Sequence, residues 1–201
     1  MFTDLSLLVL VQRVIAAVVL AGVHGFFLSG IAWLLGDRTP EYDGRLSLSP
    51  FKHLSVLGLV SAVATRAGWI VPIDIDPAQM RLGRWGLIIC VLASLALVAA
   101  FGVLVLSLRL PMLGLLSTRA SMYVIAGMTV LGEMAIFYAL LNLIPIPPLT
   151  GAHLLKAINP AWGAALIRQT QWFAIAVVLA MVLTRGTWLD PIVATVRRGI
   201  G

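Results

Sequence analysis

His24 lies inside an apolar stretch near the N-terminus and is the first histidine of the sequence. Imidazole is a common zinc ligand, and a catalytic zinc takes three protein ligands and keeps a fourth position for water. A second candidate region lies far downstream, where residues 142–151 read NLIPIPPLTG and contain the polar Asn142 and Thr150. These two regions are the places where hydrolytic metal chemistry could be sought.

Other ionisable side chains within the apolar stretches are few. Glu133 falls inside the predicted helix 120–142, where a carboxylate is costly unless it is paired, faces water or is protonated. We favour a pair with His24, an arginine or the backbone, and a proton relay is the alternative. For His24 we favour a neutral imidazole that is hydrogen-bonded within a bundle. A remnant metal site with His53 or His153 is its alternative, although the spacing does not force these histidines together.

The composition is that of a membrane protein. Of the 201 residues, 61% are hydrophobic and 11% are charged, whereas soluble domains have about 25% charged residues. The net charge of +6 is spread over loops and termini without a basic run, so it indicates lipid headgroups rather than nucleic acid as the partner. We predict a multi-pass integral membrane protein of a bacterial-type inner or cytoplasmic membrane. No phosphate-binding glycine loop or haem motif is visible, and no cofactor is predicted.

Several apolar stretches have the length that a bilayer requires. About 20 apolar residues cross a hydrocarbon core of about 30 Å. The segment 51–67 is apolar but marginal in length, so we predict that it is re-entrant or shallow. The stretches predicted to cross as helices are 6–35, 85–108, 120–142 and 165–184.

A proline-rich loop follows the third of these helices. Pro145, Pro147 and Pro148 break the helix because proline lacks an N–H and restrains the residue before it. We expect one membrane domain over residues 1–201. Its parts are a core at about 20–158, a last span at about 165–184 and an interfacial tail at 188–201.

The order of these features resembles the site-2 protease family of intramembrane zinc metalloproteases. In that family the first core helix carries HExxH, whose histidines bind zinc and whose glutamate activates water. A later NxxPxPPLDG segment supplies an aspartate as the third ligand, and residues 142–151 match it with Thr150 at the aspartate's position. Residues 44–54 (GRLSLSPFKHL) and 68–72 (GWIVP) are similar to two further family segments. The resemblance covers about 20–158.

The departures from the family pattern fall on its chemistry. The first motif reads HGFFL, with Gly25 at the position of the general base and Leu28 at that of the second zinc ligand. Thr150 is a neutral hydroxyl in place of a carboxylate, while Gly151 retains the final glycine of the motif. Of the three metal positions, only His24 is kept. The resemblance therefore implies a degenerate member of the family with no catalytic residues and no bound metal.

Gly25 also belongs to a row of small residues on the first predicted helix. Such rows let helices approach closely in a bilayer. Whether a helix of this chain or of another protein packs on the row is left open by the sequence. The row has a spacing of four residues and consists of Ala17, Ala21, Gly25 and Ser29.

The predicted fold is an all-α, site-2-protease-like bundle with a shallow or re-entrant segment and a proline-broken loop. The predicted function is non-catalytic, as an accessory, assembly or scaffold subunit that packs against other integral membrane proteins in a hetero-oligomeric complex within the lipid bilayer. One alternative is a divergent intramembrane zinc metalloprotease with other ligands. Another is a regulator that holds protease substrates without cleaving them, because the resemblance implies that substrate lies beside Asn142 and the proline segment.

Overall fold

The computed structural model describes residues 6–115 and 117–184, and in the C-terminal segment Thr187, Pro191, Ala194, Thr195 and Arg198. The interfacial tail predicted at 188–201 therefore lies almost wholly outside the described residues. Within the described ranges the regular structure is helical, and an isolated antiparallel bridge joins Leu54 to Ile70. The all-α prediction is confirmed.

The described helices include three that could span a membrane by length and composition, namely α1, α4 and α5. A fourth span results if the bent pair α7–α8 is counted as one. The chain is thus a multi-pass integral membrane protein, as predicted. In chain order the helices are α1 (Leu7–Leu34), α2 (Thr39–Tyr42), α3 (Val56–Thr65), α4 (Gly83–Leu108), α5 (Thr118–Asn142), α6 (Ala152–Ile158), α7 (Pro160–Ile167) and α8 (Thr170–Thr184), with short 3-10 helices at Pro50–Lys52 and Pro111–Gly114.

The three long helices pack against one another, and their shared interior is the main core. α4 lies along α5, and α1 contacts both. The α4–α5 contact is close because glycines face each other across it: a Cβ added to Gly132 would lie 2.8 Å from the carbonyl oxygen of Gly102. Small residues at a membrane interface allow this approach of two backbones. The middle of α1 lies within the core that results.

The helix within the segment 51–67 is too short to cross a membrane by itself. Its helix, α3, has 10 residues, which gives a length of about 15 Å. The chain then reverses at Arg66, whose φ is +71°, and continues without helix through residues 67–76. The backbone N–H of Val71 donates to the carbonyl of His53 at 2.8 Å. This bond and the bridge between Leu54 and Ile70 hold residues 67–76, the extended segment, beside the 3-10 helix Pro50–Lys52.

The last predicted span, 165–184, consists of two helices in the structure rather than one. α7 and α8 meet at an angle of 77°. α7 begins earlier than predicted because Pro160 suits the first helical position and the side chain of Asn159 caps it by accepting from the backbone N–H of Trp162 at 3.1 Å. Polar residues Arg168 and Gln169 lie at the break between the two helices.

Candidate functional site

The proline-rich loop after α5 brings Thr150 back to the middle of α1. The N–H of Gly151 donates to the carbonyl of Asn142 at 2.7 Å and closes the loop. The Thr150 hydroxyl oxygen then lies 3.1 Å from Nε2 of His24, although the two residues are 126 positions apart. Both side chains are buried. The two regions singled out in the sequence therefore form one site.

Asn142 holds this arrangement together. Its side-chain N–H₂ donates to the carbonyls of Gly68 at 2.7 Å and Tyr138 at 2.9 Å, and its Oδ1 accepts from the backbone N–H of Thr150 at 3.2 Å. The side chain is fully buried, so these bonds replace the water that it has lost. Asn142 thus ties the extended segment, α5 and Thr150 to one another.

The space beside Gly25 is filled by the imidazole of His53. A Cβ added to Gly25 would overlap the ring at Cγ and Nδ1. Nε2 of His53 lies 2.9 Å from the carbonyl oxygen of Ser47, which fixes the ring. Burial lowers the pKa of His53 below its ordinary value, against the opposing effect of that bond, and favours the neutral form. A neutral ring therefore lies where the glutamate of a zinc protease would begin.

Leu28 is an interior apolar side chain. It is 1% exposed and has no atom that could bind a metal. Its carbonyl accepts a weak hydrogen bond from the thiol of Cys90, with the sulfur 3.5 Å away. The position that the resemblance assigns to the second zinc ligand is thus used for packing.

The residues at the positions that the resemblance assigns to metal ligands do not fit zinc. They offer one imidazole from His24, an apolar side chain from Leu28 and the neutral hydroxyl of Thr150, whereas catalytic zinc takes three nitrogen, sulfur or carboxylate ligands. Across the described ranges, no three or more His, Cys, Asp or Glu side chains are grouped so that they could hold a metal ion. Among these residues His24 is therefore not grouped with both His53 and His153.

The row of small residues on α1 faces the interior of this chain. Ala17 and Ala21 are 3% and 2% exposed, and Ser29 is fully buried. Gly25 is covered by the ring of His53. Of the two possibilities that the sequence left open, the structure has the row packed against the chain itself. Glu133, the other polar position predicted within the membrane, is likewise buried, on α5.

Two features of this site were not found by reasoning from the sequence. One is the packing of His53 on Gly25. The missing side chain at Gly25 indicated a space on the helix, but not which group fills it. The other is a cavity of about 280 Å³ beside Thr150, between the extended segment and α6. No motif in the sequence indicates this cavity, because its walls come from four separate parts of the chain.

The hydroxyl of Thr150 can be tested by substitution. Thr150→Val keeps the branched shape but removes the bond to His24, which leaves Nε2 of a buried imidazole without a partner. We expect the free energy of unfolding to fall by about 1–3 kcal/mol. Thr150→Ser keeps the hydroxyl and should cost clearly less. Thermal unfolding in mild detergent measures both, and equal losses would contradict a role for the hydroxyl.

Comparison with known proteins adds a relationship to this geometry. Over 178 residues the chain is 28% identical to a Bacillus subtilis (strain 168) protein named "Putative zinc metalloprotease YwhC", and the alignment covers 85% of this chain and 80% of that protein. No family model matches the chain, and no solved structure matches it. The chain is therefore a distant homologue of a protein whose name places it among the zinc metalloproteases.

Proposed function

We propose that the chain is a non-proteolytic relative of the intramembrane zinc metalloproteases and serves as an accessory, assembly or scaffold subunit of a larger membrane complex. The observation that carries this proposal is the 3.1 Å contact between Nε2 of His24 and the hydroxyl of Thr150. In a zinc protease the corresponding imidazole and carboxylate bind the metal. Here they are replaced by a direct hydrogen bond between two neutral groups.

The environment of Gly25 supports the same proposal. Peptide hydrolysis at a zinc site needs a general base beside the metal-bound water. Gly25 has no side chain, and His53 does not take over this role because its Nε2 faces the Ser47 carbonyl while its Cγ and Nδ1 lie against α1. Compared with a zinc protease, both the general base and the metal ligands are therefore replaced.

A partner helix needs a surface other than the row of small residues on α1, since that row is buried. A groove of about 360 Å³ between α4 and α5 has a suitable composition. Its floor includes Ala96, Ala99 and Ala139, and small side chains allow another helix to approach closely. We assign this groove to a transmembrane helix of the partner.

The proposal predicts the content of the purified protein. Isolated in mild detergent from its native membrane, the chain should contain no zinc above background and should carry one partner polypeptide at a fixed ratio. Ala96→Trp, which fills the groove, should release the partner. Leu104→Trp, on the lipid-exposed surface of the same helix, is the matched control and should retain it.

The other possible outcomes distinguish the alternatives. Zinc near one ion per chain, as at a catalytic site, would overturn the proposal in favour of a divergent metalloprotease. Absence of both zinc and a stable partner would favour the regulator that holds substrates, whose contacts are transient. Loss of the partner in both tryptophan variants would mean that the groove is not its binding surface.

A further inference from the structure

The cavity beside Thr150 has apolar walls and a few polar groups. Its volume of about 280 Å³ is just below the range of about 300–1,000 Å³ for small-molecule sites. It can therefore accept a headgroup and the beginning of an acyl chain. The apolar part of the wall includes Leu28, Ile70, Pro72, Ile73, Pro147 and Leu149.

His153 lines this cavity and has an unsatisfied acceptor, a ring nitrogen that is itself buried. The side chain is 8% exposed, and its Nδ1 has no hydrogen-bond partner among the described residues. The imidazole donates to the backbone carbonyl of Ile73, while burial, the largest influence, lowers its pKa to about 4. The ring is therefore neutral near pH 7 and donates with one nitrogen only. Nδ1 keeps a lone pair for which a ligand could supply the donor.

Lys156 presents a cation to the same cavity. Its Nζ donates to the carbonyl of Ile75 at 2.8 Å. The nearest carboxylate oxygen, on Asp74, is 3.6 Å away, and that side chain is 76% exposed. This distance exceeds a hydrogen bond, and an exposed carboxylate counters the ammonium charge only weakly. The cavity thus combines an ammonium donor with a neutral acceptor, and the exposed carboxylate of Asp74 also lines it.

We propose that this cavity binds the headgroup of an anionic phospholipid with free hydroxyl groups, of the phosphatidylglycerol class. The phosphate would accept from Nζ of Lys156, a headgroup hydroxyl would donate to Nδ1 of His153, and the acyl chain would leave along the apolar wall. An extended peptide offers neutral backbone groups and would give Lys156 no counter-charge beyond the exposed Asp74. The inference is independent of whether the chain cleaves peptides.

The test measures the lipid retained by the full chain after exchange in detergent with phosphatidylglycerol, phosphatidic acid or phosphatidylcholine, by native mass spectrometry. We expect retention of phosphatidylglycerol to exceed that of phosphatidylcholine by roughly tenfold. Phosphatidylglycerol has a net negative charge, whereas the choline group of phosphatidylcholine neutralises its phosphate. Lys156→Met should abolish this preference, and Lys156→Arg should keep it. Phosphatidic acid lacks the glycerol headgroup and therefore its hydroxyls. The unaltered chain should thus retain phosphatidylglycerol better than phosphatidic acid, and His153→Leu should abolish this preference.

Lys52→Met is the matched control. Nζ of Lys52 donates to the carbonyl of Gly44 at 2.8 Å, as Lys156 does to Ile75, but the residue does not line the cavity. Lys52→Met should therefore leave the retention of all three lipids unchanged. If Lys52→Met and Lys156→Met lose the preference for phosphatidylglycerol equally, the preference depends only on the overall charge of the chain. That result would overturn the proposal. Equal retention of the three lipids by the unaltered chain, or a peptide found in the cavity, would also overturn it.

Discussion

Gly25→Ala is expected to lower the free energy of unfolding by about 3 kcal/mol, near the upper end for an overpacked core. The added methyl group overlaps the ring of His53. The ring cannot turn away easily because it is fully buried and Nε2 lies 2.9 Å from the carbonyl of Ser47. To accommodate the methyl group, either the imidazole leaves its position or the 3-10 helix Pro50–Lys52 separates from α1. Thermal unfolding in mild detergent, followed by tryptophan fluorescence, measures the loss.

Gly30→Ala is the control for this substitution because it lies on the same helix in open surroundings. The nearest atom to an added Cβ there is Cδ1 of Leu46, at 3.9 Å. Alanine favours a helix over glycine by about 1 kcal/mol, so Gly30→Ala should be neutral or stabilising. Similar losses at Gly25 and Gly30 would mean that His53 does not decide the cost.

Removing the ring should relieve the strain. The double variant Gly25→Ala with His53→Ala is expected to be more stable than the sum of the single losses predicts, by about 1 kcal/mol or more. His53→Ala alone leaves a cavity at the core and a carbonyl at Ser47 without its partner, and its own cost is therefore measured as part of the cycle. A strictly additive result would contradict direct contact between the two residues.

Leu28→His combined with Thr150→Asp is expected to give a chain that binds about one zinc ion. The two new side chains would join His24, whose Nε2 already lies 3.1 Å from the hydroxyl oxygen of Thr150. The change from a hydrogen bond to a metal centre is the largest effect that we predict. Zinc content after dialysis and competition with a chromophoric chelator measure it.

The matched control for zinc binding is Leu28→His with Thr150→Val, which has the same imidazoles but no carboxylate. Its affinity should be weaker by at least about tenfold, because one ligand of three is missing. If the variant with all three ligands is folded and still binds no zinc, the three positions do not meet as the family motif implies. The resemblance would then assign the wrong residues.

Restored ligands should not restore cleavage. A glutamate at Gly25 would have to occupy the space of His53, since even a Cβ there overlaps the ring. Hydrolysis of a membrane peptide is therefore expected only when Gly25→Glu and His53→Ala are added to the two ligand substitutions. The separation of zinc binding from turnover follows from the packing of one histidine.

The membrane fold could be predicted from the sequence because the bilayer sets the length of its helices. The three long spans predicted at 6–35, 85–108 and 120–142 each agree with a helix of the structure to within two residues at both ends. The bend within the last predicted span, 165–184, was not predicted from the sequence. Arg168 and Gln169 interrupt an otherwise apolar run there, but two polar residues do not by themselves indicate a sharp bend. Its geometry depends on how α7 and α8 pack.

Through the family resemblance, the residues also predicted where the chemistry would differ, because residue types at the motif positions decide whether ligands and a base are present. Gly25, Leu28 and Thr150 carry that information without coordinates. Only the tertiary structure decided what occupies the space that was left: the ring of His53 beside Gly25 and the cavity lined by His153 and Lys156. These contacts depend on the path of the extended segment and of the proline loop, and such long-range packing leaves no periodic pattern in the sequence.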